Sequence, residues 1–295
     1  MTKINIQFSR FSAFYTPLIA TMAGGFLTDE GLEYDWSKAA NNDAALQNLA
    51  DGTVDVAQSA VGVSLIQLAR GDRPAARHFA QINELDGFFI AGRHADPDFQ
   101  WAQLQGADVL VDHGLQPMAM FKYACMKAGI DFDKLNVIDA GGGADMEKAF
   151  RAGTGAYIHL QGPAPQNMEY DGAGYVVAEV GRPIGPCAFS SLAAMPEWLA
   201  TDAAKAFTRA YTKTRAWINQ VSADEIAGKV AEFFSETHAS VLAECIAAYQ
   251  GLGNWAPGVE ITEPSLAVAQ DVFVQAGHIK EPYPYDLLCA RPPAV

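Results

Sequence analysis

The chain has 295 residues, half of them hydrophobic, and carries 34 acidic against 20 basic side chains for a net charge of −14. That length suits two modest α/β lobes or one large domain with a sizeable core. The acidity argues against nucleic acid and anionic membrane surfaces, which need clustered Lys and Arg, and no apolar run approaches the roughly 20 residues of a membrane span.

In chain order, Ile4–Phe8 alternates as a strand directly after Met1-Thr2-Lys3, with no basic, apolar and small-residue signal ahead of it. The expectation is a cytoplasmic protein as the chain stands, or a periplasmic one if a signal was removed. Thr16-Pro17-Leu18 opens a helix that ends at Gly24-Gly25, with Pro in its first turn. Leu32–Trp36 reads as a strand, and Asn42 or Asp43 as the cap of a helix over 44–50. Val54–Gln58 is the third strand, followed by a helix over 61–70 and extended pieces at 77–81 and 87–91.

Near residue 93 the polar stretch Arg93-His94-Ala95-Asp96-Pro97 opens a second α/β block. Its strands are read at 108–111, 135–139, 157–161 and 175–179, its helices at 117–127 and from Gly143 through Arg151. After Gly185 the chain turns helical. Pro196–Leu199 is a short turn, Thr201 caps a helix to Asn219, and Ser222-Ala223-Asp224-Glu225 is a capping box. Further helices cover 239–249 and start at Thr262. This alternation predicts mainly parallel sheet with helices on both faces. Cys125, Cys187, Cys245 and Cys289 are too scattered for a metal knuckle, and nothing in their spacing asks for a disulfide. No cofactor is expected.

Two stretches carry a resemblance. Phe14-Tyr15-Thr16-Pro17-Leu18-Ile19-Ala20 leads to Gly25-Phe26-Leu27-Thr28-Asp29-Glu30-Gly31-Leu32-Glu33, and Leu49-Ala50-Asp51-Gly52-Thr53-Val54-Asp55-Val56-Ala57 follows. In this order they resemble the start of type II periplasmic (solute) binding proteins, in the sulfonate-, nitrate- and thiamine-pyrimidine-binding branch. The resemblance implies a two-lobed α/β fold with a ligand cleft between lobes and extra C-terminal helices. It implies a first lobe of residues 1–92 plus 184–295, a second of residues 93–183, and an ABC permease as partner.

In open α/β sheets ligands gather at the C-terminal ends of strands, where helix N-termini present free N–H groups. The residues there are the candidate ligand contacts. After the first strand these are Ser9, Arg10 and Tyr15, with Arg10 suited to a carboxylate, sulfonate or phosphate. Asn41 follows the second strand, Gln58 and Ser59 end the third, and Asn83 lies in Asn83-Glu84-Leu85-Asp86 near the crossing between blocks. In the second block His113 and Gln116 join a strand to a helix, Gly142 centres a triple-glycine turn, and His159 and Gln161 end a strand. His94, His113 and His159 lack zinc-ligand spacing, and no metal is expected. His78, His238 and His278 read as ordinary helix or loop histidines. Cys187 after Gly185-Pro186 would need a neighbouring base to act as a nucleophile.

The same fold also carries enzymes, so the leading expectation is a small-molecule binding protein of an ABC importer and the alternative a cytoplasmic lyase or decarboxylase. Its ligand would be a small organic molecule, aromatic or anionic. The resemblance extends to the fungal-type thiamine pyrimidine synthase, which uses a Lys in the third-strand region and a Cys-rich cluster. Asp55-Val56-Ala57-Gln58-Ser59 has no Lys and Cys187 stands alone, against that activity. For a lyase, His113 and His159 are the acid–base candidates.

Overall fold

The computed structural model describes residues 1–294. Alternating apolar side chains make β1, Thr2–Phe8, a strand with Ile4, Ile6 and Phe8 buried. It pairs in parallel with β2, Leu32–Lys38, and with β3, Val56–Ser59. β4, Arg77–Asn83, completes the N-terminal part of the first sheet. The chain then crosses to a second sheet and enters it as β5, Phe88–Gly92. That sheet is filled by β6, Asp108–Leu110, β7, Asn136–Ile138, β8, Tyr157–Gln161, and β9, Tyr175–Glu179. After β9 the chain returns and inserts β10, Ser190–Ala194, into the first sheet.

The two sheets have matching order, β2-β1-β3-β10-β4 and β7-β6-β8-β5-β9. In each, the fourth strand arrives from the other sheet and runs antiparallel to its neighbours. This is a type II periplasmic-binding-protein-like α/β architecture. The first crossing falls at residues 84–87, because Phe88 already pairs with Gln161 of the second sheet. The two crossings are bonded to each other: Cys187 N donates to Glu84 O at 2.6 Å, and Val180 N to Phe88 O at 2.9 Å.

Several expectations need correction. The helix Asn42–Ala50 is capped by Asn41, whose side chain accepts Ala44 N at 2.8 Å, and not by Asn42 or Asp43. Pro196–Leu199 is a one-turn helix rather than a turn, and the helix Ala164–Tyr170 and strand β10 were not foreseen. His78 is a strand residue: fully buried on β4, its ring bonds Ser64 Oγ at 3.0 Å and Ser191 Oγ at 2.8 Å. Thr201 and Ser222 cap their helices as expected, accepting Ala204 N and Glu225 N.

The principal core runs through both halves of the molecule and takes in the C-terminal helices Asp202–Ile218, Ala239–Leu252 and Glu263–Gln275. All four cysteines are free and buried. Among the described residues no helix is long and apolar enough to cross a membrane.

Candidate functional site

The C-terminal ends of β1 and β3 face those of β6 and β8 across a cleft. A small cavity of about 60 Å³ lies there, lined by Ser9, Arg10, Tyr15 and Gln58 from the first half and by Gln116 and Gln161 from the second. Phe88 and Phe189, at the ends of the two crossings, add aromatic walls. Arg10 and Gln161 also line a larger outer mouth of about 680 Å³, bordered by Phe11, Lys38, Gly143 and Pro163 and by the segment Phe233–Thr237.

Arg10 bridges the halves. Its Nη2 lies 2.6 Å from Asp112 Oδ2 at the end of β6, and its guanidinium rests over the Phe88 ring, 5.3 Å from the centroid. Burial pushes the Asp112 carboxyl up, but the charge and hydrogen bond of Arg10, joined by Gly114 N–H, hold it below its ordinary value. For Arg10, burial works against the charge, and Asp112 together with Tyr15 and Tyr249 more than offsets it. A second contact joins Ser12 Oγ to Gln161 Oε1 at 3.3 Å.

The glutamines are held by the backbone. Gln58 Oε1 accepts Ser9 N, Ser9 Oγ and Arg10 N at 3.0–3.1 Å, which fixes the loop after β1. Gln116 Nε2 donates to Phe189 O at 2.8 Å. Tyr15 is 3% exposed, and burial raises its phenol, with Arg10 and the Gln161 amide opposing.

The other candidates lie elsewhere. Asn41 is the helix cap described above. Ser59 is buried, with its Oγ unpartnered among the described residues, and its neighbour Ala60 lines the cavity instead. Asn83 is committed to structure: Nδ2 donates to Ser190 Oγ at 2.8 Å and Oδ1 accepts Trp255 Nε1 at 2.8 Å. His113 donates from Nδ1 to Val111 O at 2.7 Å, beside Asp139. Gly142 is the exposed residue before the helix Gly143–Arg151, and its neighbour Gly143 borders the mouth instead.

His159 sits behind the cavity wall, between Phe88 (centroids 4.3 Å apart) and Phe121 (4.8 Å). It is fully buried, neither ring nitrogen has a partner among the described residues, and burial lowers it to about 3. Cys187 is likewise fully buried, and burial pushes its thiol up.

Two carboxyls were missed as candidates. Asp112 was signalled by Asp112-His113-Gly114, an Asx turn in which the carboxylate accepts the N–H two residues on. Asp86, on the first crossing, is fully buried; Oδ1 accepts Phe88 N at 2.7 Å, while Oδ2 has no partner among the described residues. Burial raises it to about 7, against the Phe88 N–H bond and the charge of Arg10.

A model of the NMT1/THI5-like family matches residues 13–221, more than two thirds of the chain. The chain belongs to the NMT1/THI5-like family. YtlA of Bacillus subtilis (strain 168), whose name gives it a binding role, is similar over the whole length: 28% identity over 292 residues, covering 98% of this chain and 87% of that protein. Two solved structures share the fold that the family member shows here. One is the ligand-binding component of an ABC-type import system from Staphylococcus aureus with zinc bound, at TM-score 0.74 and 16% identity, covering 99% of this chain and 97% of that one. The other is the periplasmic aliphatic sulphonate binding protein SsuA from Escherichia coli, at TM-score 0.73 and 15% identity, covering 99% and 93%.

Proposed function

We propose that this family member is the solute-binding component of an ABC importer, and that its two lobes close on a small organic ligand for delivery to a permease. The observation that carries this reading is the cavity itself. Eight polar residues from both halves (Ser9, Arg10, Tyr15, Asn42, Gln58, Ser190, Gln116 and Gln161) converge on one interlobe space, and Arg10 reaches across to Asp112 at 2.6 Å. Such convergence has no structural need, because each half has its own sheet and helices. It suits a clamp whose closure is completed by what it encloses. The S. aureus structure, a component of an ABC-type import system, supports the permease as partner, and the E. coli protein's periplasmic sulphonate-binding role supports a small-molecule ligand.

The lyase reading finds little support in this arrangement. Neither His113 nor His159 lines the cavity, and an imidazole lowered to about 3 is a poor acid or base near neutrality.

The test is a thermal-shift screen of small organic solutes, followed by X-ray scattering with and without any hit. A ligand at 100 times its Kd adds about 2.7 kcal/mol, or roughly 5 °C or more in Tm for a chain of this size. The radius of gyration should fall on binding while the ligand is recovered unchanged. Recovery of a chemically altered ligand would defeat the carrier reading in favour of an enzyme.

A further inference from the structure

The helix Leu115–Lys127 belongs to the second half of the molecule, yet one of its faces is bonded to the first. It follows β6 and reaches its own sheet through Phe121, whose ring centroid lies 4.8 Å from that of His159 on β8. Gln116 and Tyr123 are seven residues apart and so share a helix face. Gln116 Nε2 donates to Phe189 O, just before β10, at 2.8 Å. Its Oε1 lies against Gly62, in the first turn of the helix Val61–Ala69, where a Cβ would run into both that oxygen and the Phe273 ring. Glycine is what leaves the notch open. Two turns further on, the nearly buried Tyr123 hydroxyl donates to Asp271 Oδ2 at 2.7 Å.

Asp271 and Phe273 lie on the helix Glu263–Gln275, which is fixed to the first half. Ala188 N on the second crossing donates to Ser265 O at 2.9 Å, and Phe273 closes on Gly62 near the other end. The chain that follows folds back on this helix: Gln270 Nε2 donates to Tyr283 O at 3.1 Å, and its Oε1 accepts Tyr283 N at 2.6 Å. It then runs beside β4, where Ala290 N donates to His78 O at 2.9 Å.

The seam thus begins at a cavity residue, Gln116, and runs outward to Tyr123 and Asp271, which line neither the inner cavity nor the outer mouth. A helix moves as a rigid rod. Any opening that draws Gln116 off Phe189 also pulls on the Tyr123 hydroxyl, about 10 Å farther along it. That bond has a charged acceptor, which makes it about twice as strong as a neutral one, and the covered phenol has little water to take in exchange.

We infer that, within the solute-binding reading on which this rests, the seam is a latch that holds the two halves together before any solute binds. The closed population, and with it the apparent affinity for every solute, is then set in part by Gly62, Tyr123 and Asp271, none of which lines the cavity or the mouth.

The test reads the separation of the halves in the solute-free protein, by electron–electron distance measurement between spin labels at Asp51→Cys and Lys148→Cys. These are exposed sites, one on each half, and the four native cysteines are buried. Tyr123→Phe removes one hydroxyl and should raise the wide-separation population at least fivefold at unchanged helix content. Asp271→Ala should do the same, and the two together should do no more than either alone. Asp271→Asn keeps an acceptor and should fall between. Unchanged populations in Tyr123→Phe and Asp271→Ala overturn the inference. Loss of helix content in both overturns it too, because the contact would then hold the fold and not the gap. A solute that narrows the label distance in the wild type while both variants stay unmoved sinks the latch alone. Variants that open, with no screened solute narrowing the wild-type distance, leave the latch standing and remove the proposed function.

Discussion

Arg10 and Asp112 stand 102 residues apart in the chain and 2.6 Å apart in space, and their bond is a direct polar link between the two sheets across the cleft. Asp112 is nearly covered whereas Arg10 keeps 39% of its side chain exposed. By side-chain exposure the acid is thus more covered than the base in this structure.

Arg10→Ala should favour open forms. A charge-assisted hydrogen bond contributes about 1.5–3 kcal/mol, and the exposure of Arg10 reduces that to about 1–2 kcal/mol. The closed population should fall by roughly 5- to 30-fold. A larger radius of gyration without ligand, at unchanged helix content, is the expected result; an unchanged radius would show that the pair does not hold the lobes.

Acid should destabilise the protein between about pH 6 and pH 4. His78 and His159, both lowered by burial to about 3, contribute stability that is complete above their unfolded value near 6.5 and lost as pH falls. Asp86 acts in the opposite sense. Raised to about 7, it favours the folded state most below its unfolded value near 3.9, and that contribution is lost as pH rises through 7. In this window the unfolded chain binds two more protons at the histidines and one fewer at Asp86, a net of about one. Stability should drop by about 1.4 kcal/mol per pH unit, and by about twice that in Asp86→Asn. Urea melts at pH 7.5, 6, 5 and 4.5 read this slope, and a flat profile contradicts it.

Arg215→Lys should be costly. The Arg215 side chain is fully buried on the helix Asp202–Ile218, and its guanidinium donates to the carbonyls of Gln81, Ile82 and Ala256 and reaches Glu84 Oε1 at 3.4 Å. A lysine ammonium cannot reproduce that planar fork. The expected loss is about 2–4 kcal/mol in a denaturant melt. A loss under 1 kcal/mol would mean that water replaces the missing donors.

Gly181→Ala should damage the joint rather than the cavity. A methyl group there would run into the Asp86 carbonyl oxygen and crowd Leu85 Cβ, both on the other crossing. Overpacking of this kind costs about 1–3 kcal/mol. Ligand affinity should weaken together with stability, as calorimetry and a thermal melt will show; full stability would mean that the two crossings separate easily.

The regular elements were legible because period and punctuation agree. β8 and β9 fall at the residues expected, and Thr201 and Ser222 mark helix starts by their chemistry alone. β10 escaped notice because Ser190-Ser191-Leu192-Ala193-Ala194 lacks alternation: inserted between β3 and β4, all five residues are buried. Six of the twelve candidate site residues line the inner cavity, found by their place at strand ends. Where the other side chains point was not readable, because residue type does not say which of several partners a polar group takes: Asn83 turns to Trp255, 172 residues away, and His113 to a carbonyl two residues back. Asp86 was visible as part of a polar run, but its burial arises only when the second crossing folds against the first.

That paired crossing has a mechanical consequence. Two segments bonded at Cys187–Glu84 and Val180–Phe88 bend as one ribbon, much as a leaf spring does, and resist twisting about either strand alone. Tyr249 stiffens one end of it, donating to Gly87 O at 3.0 Å while accepting Gly162 N at 2.9 Å. In the clamp proposed above, such a joint would confine the jaws to a single arc, so that the cavity side chains meet in the same register on each closure.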